Sequence, residues 1–370
     1  MATFVNFGTD GGGFAETNFI GGPDIGYSDG SPFLSANRPV PAFDPKEKIC
    51  GFTYGYMANR GEYRSPRGVD SQRRLFDLGV NWICLAIANY QNKYYSTEIH
   101  ADYLKTPTDR DIAAVVERAH NNGVKVCLKP MVNTEDGVWR AHIGFPDLHM
   151  GDMDYYWKQW FISYKNFLLH YAELAQELNC EMLCIGCEMI GTEHRQYDWL
   201  YLIEQVRRVY SGKIVYNANH DREDAEGWFD ELDYIGTSAY YPVGQNGINE
   251  QAMRDEWQKI KWRLDAIAES RNKQYIFMET GCRSATGNSV EPWDFSDKFN
   301  EFNDHEQALY YSTCMDVFKD EPKFAGVFWW DWPTILPSQE FIKKDLTYSI
   351  YNKEAERTLN KIYRGIRGVR

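Results

Sequence analysis

From Lys48 onward, short continuous apolar runs alternate with segments whose apolar residues recur at helical spacing. KICGFTYG predicts a first strand and NWICLAIA a second; VKVCLKP, EMLCIGCE, KIVYNAN, DYIGTSAY, QYIFMET and FAGVFWWDW supply six more. Between them the spacing predicts helices over Pro66–Leu78, Thr108–Asn122, Asp154–Leu178, Tyr197–Tyr210, Gln251–Ser270, His305–Lys319 and Lys353–Arg367, with a short one near Asp224–Asp230. Thr108 is placed to cap its helix and Gly123 to stop it. Apolar runs without polar alternation are the signature of strands buried on both faces, and strict strand–helix alternation means a parallel sheet. Eight such units predict an α/β fold, a (β/α)8 TIM barrel over residues 46–370. A doubly wound open sheet ranks second, because no Gly-rich phosphate turn follows the first strand. Residues 1–45 show no sustained period; GTDGGG, GGPD and SDGSP are turn chemistry, so this part reads as a Gly/Pro-rich N-terminal extension.

In such a barrel, chemistry gathers at the C-terminal ends of the strands. Strand four ends in Glu188 and strand seven in Glu279, each after an apolar run. A charged group closing a buried strand is costly unless it is used or paired. Period-two alternation puts Cys184, Gly186 and Glu188 on one face, and Tyr275, Phe277 and Glu279 on another, so both carboxylates can look over the mouth. Such a pair is the requirement of a glycosidase: about 5–5.5 Å apart with a nucleophile and an acid/base if retaining, about 6.5–9.5 Å if inverting. The other strand ends carry Asn89, Tyr90 and Gln91, then Lys129, Asn217 and Asn219, Tyr240 and Tyr241, and Trp329, Trp330, Asp331 and Trp332. Loop residues Arg60, Arg64, Glu193, His194, Arg195 and His220 are open to substrate contact or to ordinary loop roles.

Composition narrows the partner. The formal charge of −13 disfavours a nucleic-acid backbone and an anionic membrane surface. Aromatic residues reach 15%, which suits sugar rings but suits an aromatic-rich core equally well. Several of the eight cysteines sit inside apolar runs and read as reduced, buried small hydrophobes. The Cys184-Ile-Gly-Cys187 spacing offers a redox or metal reading, but residues three apart on a strand face opposite sides. No HxH or HExxH motif is present, so no metal and no cofactor is expected. The N-terminus has no basic, then apolar, leader pattern and no 18-residue apolar run occurs, so a cytoplasmic protein is expected. Oligomeric state is not readable.

Six stretches, GFTYGY, ANYQN, LCIGCEM, LDYIGTSAYYPV, FMETGCRS and GVFWWDW, together resemble clan A of the glycoside hydrolases, and within it family 113, the endo-β-mannanases. The resemblance spans residues 50 to 335 and implies retaining hydrolysis of β-mannosidic or related oligosaccharides. It implies Glu188 as acid/base and Glu279 as nucleophile, Tyr240 or Tyr241 bonded to the nucleophile, and Trp329 or Trp330 as the sugar platform. Asn89, Tyr90, Lys129, Cys187 and Asn219 complete the expected substrate contacts. One departure stands out: clan A places Asn before the acid/base to bind the sugar 2-hydroxyl, and here that residue is Cys187, a weak hydrogen-bonding group. Two other functions fit parts of the pattern. One is a non-catalytic carbohydrate-binding barrel using the aromatic cleft alone; the other is an aldolase using Lys129 as a Schiff-base amine. The long loop Asn89–Pro107 and the N-terminal extension are expected to wall off one end of the cleft, giving exo-like or short-chain preference.

Overall fold

The computed structural model describes residues 39–147, 154–245 and 249–368. Eight parallel strands close into a barrel in sequence order. They are β1 (Ile49–Tyr54), β2 (Trp82–Gln91), β3 (Lys125–Thr134), β4 (Met182–Cys187), β5 (Lys213–Asn219), β6 (Ile235–Ser238), β7 (Tyr275–Glu279) and β8 (Phe324–Trp332). The helices are α1 (Pro66–Asp77), α2 (Asp109–Asn121), α3 (Tyr155–Glu177), α4 (Ile190–Glu193), α5 (Gln196–Val209), α6 (Glu250–Ser270), α7 (Asp304–Phe318), α8 (Gln339–Ile342) and α9 (Glu354–Arg367). The (β/α)8 expectation therefore holds, with local differences: the short helix expected after β5 is a 3-10 turn, Gly227–Glu231, and the spacing does not predict the one-turn helices α4 and α8. Among the described residues no helix is long and apolar enough to cross a membrane.

Helix starts follow local chemistry. Ser65 accepts a bond from Gly68 N–H, with Pro66 in the first turn. Thr108 and Asp111 form a reciprocal capping box on α2. The predicted extension 1–45 lies outside the described residues apart from 39–45. There Phe43 sets its ring edge-on to Trp82, 4.8 Å between centroids, and Val40 N–H donates to Ser211 Oγ at 2.8 Å.

Two apolar layers hold the barrel. Inside it Ile49, Trp82, Cys84, Cys127, Cys184 and Phe328 pack with neighbours at the same levels. Between strands and helices lies a larger layer rich in aromatics. Eight of the twelve tryptophans are almost fully buried, so the aromatic excess goes mainly into packing and only the rest can serve a ligand.

Strict alternation fails next to the site at three strand ends; a fourth register shift, where Tyr275 pairs with Phe324 and Ile276 with Gly326, lies at the opposite end of the barrel. On β4, Cys184 pairs with Val215 and Cys187 with Asn217, three residues against two. Ile185 and Gly186 both turn to the helix layer; a Cβ on Gly186 would lie 2.7 Å from Tyr216 and 3.0 Å from Trp199. Cys187 then faces inward with Cys184, and Glu188 follows with φ 54°. On β7, Thr237 pairs with Phe277 and Ser238 with Glu279. Tyr275 and Phe277 face the helices, while Met278 and Glu279 both face the barrel axis. The expected shared faces of Cys184, Gly186 and Glu188, and of Tyr275, Phe277 and Glu279, are thus corrected: bulges, not alternation, turn the carboxylates into the mouth.

Candidate active site

Glu279 forms the floor of the mouth. Its Oε1 accepts from Asn217 Nδ2 at 3.1 Å and Cys187 Sγ at 3.3 Å, and it is ion-paired with Lys129 Nζ. Its Oε2 accepts from Tyr240 OH at 3.2 Å. Lys129 reaches it because Cys127, Lys129 and Met131 alternate inward along β3, which runs on to Thr134. Lys129 is fully buried. Burial works against its ammonium form, but the Glu279 carboxylate beside it more than offsets that and holds it protonated well above the usual lysine range. Burial pushes the Cys187 thiol up, so it stays a neutral thiol. Burial and the nearby Glu279 charge likewise keep Tyr240 a phenol donor.

Glu188 stands beside this cluster, with its backbone N–H on Asn217 O at 2.8 Å. Its Oε2 accepts from Trp139 Nε1 and from Arg140 Nη1, each at 3.2 Å. The same Arg140 nitrogen is 3.9 Å from Cys187 Sγ, so one guanidinium spans the ground between the two glutamates. Its other arm bonds Asn133 Oδ1 at 2.6 Å and Tyr56 OH at 3.4 Å. Trp330 leans on Tyr56, 4.6 Å between ring centroids, with Lys129 Nζ 6.0 Å from its own ring. A cavity of about 360 Å³ opens beside Arg140, lined by Met57, Tyr90, Asn133 and Trp139.

The predicted residues divide by the face of the strand they occupy. Glu188, Glu279, Lys129, Cys187, Tyr240 and Trp330 come together, and Tyr90 lines the adjoining cavity. Asn219 lies two residues beyond Asn217 on β5, its Oδ1 buried without a partner among the described residues. Asn89, Tyr241 and Trp329 do not join them. Asn89 is turned to α3, where Tyr171 OH donates to its Oδ1 at 2.8 Å. Tyr241 packs against Trp257 and Phe277, and its hydroxyl meets buried Glu223, which also binds Arg263. Trp329 is fully buried against Tyr311, 4.2 Å between centroids. The loop candidates are tied elsewhere: Arg64 to Asp111, Glu193 to Arg222 and Tyr216, Arg195 to Asp154 and Asp198, His194 to Asp147. Arg60 stacks on Tyr103, and His220 on Trp293. The loop after β2 folds back through a Tyr90–His100 bridge and an Arg60 N–H bond to Leu104 O of 2.8 Å.

Sequence reasoning missed Tyr56, Trp139 and Arg140, which lie on the connections after β1 and β3 with no period to read, and Asn133, which lies on β3 beyond the apolar run VKVCLKP that predicted the strand. Asn217 was legible as an inward strand-five residue two positions before Asn219.

The profile of Glycoside Hydrolase Family 113 matches residues 52–353. Among solved structures, the GH113 β-mannanase AaManA from Alicyclobacillus acidocaldarius, in complex with ManMIm, is 36% identical with a TM-score of 0.79, over 86% of this chain and 98% of that one. A GH113 β-1,4-mannanase is 32% identical at the same TM-score, over 86% and 99%. A family 5 mannosidase from Rhizomucor miehei, 9% identical with a TM-score of 0.58 over 87% and 94%, shares the fold alone. No curated protein matches. The profile covers most of the barrel and the identity to two solved members exceeds 30%; the chain is a glycoside hydrolase and belongs to family 113.

Proposed function

We propose that this enzyme hydrolyses β-1,4-linked mannosyl oligosaccharides with retention, with Glu279 as nucleophile and Glu188 as acid/base. The observation that carries the reading is the asymmetry at Glu279. Three groups crowd Oε1, while Oε2 has only the Tyr240 hydroxyl among the described residues. A carboxylate anchored through one oxygen presents the other as an aimed nucleophile.

In the first step Oε2 bonds to the anomeric carbon as the glycosidic C–O bond breaks, and Glu188 gives its proton to the departing oxygen. In the second step water attacks the same carbon, Glu188 takes the water proton, and the Glu279 ester bond breaks. Two inversions give net retention. Trp330 offers the flat face for the sugar's C–H side. The mannosyl assignment rests on the two family members above being mannanases. The Schiff-base alternative is disfavoured physically, because an imine-forming lysine must be neutral and Lys129 is held charged.

The test uses 2,4-dinitrophenyl β-mannoside. Glu279→Ala should abolish turnover, and added azide should restore it as the α-mannosyl azide. Glu188→Ala with azide should give the β-azide instead. An undiminished Glu279→Ala enzyme would overturn the assignment. Turnover only of the gluco-, xylo- or galacto-configured analogues would keep the mechanism and change the sugar.

A further inference from the structure

The third bulge lies on β8. Phe52 of β1 pairs with Trp329 and Tyr54 with Trp332, so Thr53 alone opposes both Trp330 and Asp331. Trp329 and Trp332 both pack into the helix layer, as do Phe52 and Tyr54. The extra residue therefore sits on the inner side with Trp330, and a bulge re-aims side chains in this way. Asp331 is partly buried there, within electrostatic reach of Glu279 and Tyr240.

Among the described residues no other residue donates a hydrogen bond to this carboxyl. Its one donor among the described residues is its own backbone N–H. The nearby charged group Asp345 is a second carboxylate, and Thr53 Oγ1, on the residue opposite, is itself buried with no partner among the described residues. Asp331 is part-buried and its carboxyl oxygens are not closed off from solvent, so a ligand in the mouth can supply the donors that the fold does not. A sugar ring resting on Trp330 brings a rim of hydroxyl donors to the neighbouring residue.

We propose that Asp331 is a substrate-binding residue that accepts hydrogen bonds from a ring hydroxyl of the sugar seated on Trp330. The assignment rests on the hydrolase reading above and deepens it: Trp330 takes the apolar face of the ring, Asp331 takes its edge, and the pair selects the ring orientation that presents the anomeric carbon to Glu279. Asp331 takes no part in bond making.

The experiment compares wild type, Asp331→Asn and Asp331→Ala on aryl β-mannosides, intact or lacking one ring hydroxyl each. On the intact substrate Asp331→Ala should lose about 10- to 100-fold in kcat/KM, the size of a hydrogen bond to a charged group, with Asp331→Asn between. On one deoxy substrate that gap should close to about twofold, which names the hydroxyl; a merely structural defect would cut all substrates alike. Equal activity of Asp331→Ala and wild type on the intact substrate, or an unchanged ratio across the deoxy series, would overturn the proposal. If wild type cleaves no mannoside, the sugar assignment fails instead, and the same comparison is made on the aryl glycoside it does cleave.

Discussion

The Lys129–Glu279 pair makes the sharpest energetic prediction. Lys129 is fully buried and the Glu279 side chain is 6% exposed, so neither charge can turn to water if its partner is removed. Lys129→Met leaves a buried carboxylate held by an amide, a thiol and a phenol. Glu279→Gln leaves a buried ammonium facing a neutral amide. Breaking a buried pair from one side costs ~3–5 kcal/mol, mostly from the stranded charge. Removing both charges strands nothing, so Lys129→Met/Glu279→Gln should fall short of the summed single losses by ~2 kcal/mol or more. Urea unfolding of the four proteins at pH 7, with linear extrapolation, measures all three differences. Single losses below ~1 kcal/mol that add within ~0.5 kcal/mol would refute the claim that the two charges hold each other. Borohydride treatment with a sugar aldehyde should also leave Lys129 unmodified.

Three further outcomes follow from the geometry. Trp329→Ala should cost ~3–5 kcal/mol of stability as a core deletion and leave KM unchanged, while Trp330→Ala should leave stability nearly intact and raise KM by ~3–10-fold; thermal melts and oligosaccharide kinetics separate them. Asn217→Ala should lower kcat/KM by ~10–100-fold by removing a donor to Glu279, whereas Cys187→Ala, which removes a weak donor, should stay within ~3-fold. Burial, with the Glu279 and Asp345 carboxylates, pushes Asp331 up to about 7. Between its unfolded value near 4 and about 7 the native state then binds the extra proton, so its contribution to stability falls as pH rises across that window. Tyr240, Tyr311 and Tyr348, which also face it, remain neutral there. Asp331→Asn should remove this fall, a gain of up to roughly 4 kcal/mol by pH 8 in urea titrations; parallel wild-type and mutant curves would contradict it.

The architecture was readable because it depends on averages. Eight apolar runs separated by helical spacing leave few alternatives to a closed parallel barrel, and a one-residue error at an element end does not change that. The site depends on facing, which one inserted residue reverses. Three adjacent pairs show it: Asn89 and Tyr90, Tyr240 and Tyr241, Trp329 and Trp330 each lie at the end of one strand. Only one of each pair meets the mouth or its adjoining cavity; the other is spent on Tyr171, Glu223 or Tyr311. Reading strand ends finds the level of the site and not its side. The bulges that decide the side leave no hydrophobic signature, since Gly186 and Met278 are as apolar as the run that contains them. Arg140 was invisible for another reason: a loop arginine becomes part of a site only through the path its loop takes.

The same geometry explains why Cys187 need not weaken the site. The resemblance to clan A calls for an amide immediately before the acid/base. In this chain the bulge on β4 brings Cys187 into register with Asn217 on β5, at one level of the barrel. Asn217 Nδ2 lies 3.2 Å from the sulfur and 3.1 Å from Glu279 Oε1, so an amide donor reaches that level from the neighbouring strand. Ser238 Oγ donates to Asn217 Oδ1 at 3.2 Å, which fixes the amide with its nitrogen toward Glu279. A side chain as large as asparagine at 187 would compete for that space. The small thiol and the displaced amide therefore form one solution: each makes room for the other, and the hydrogen-bonding capacity of the mouth is shifted by one strand.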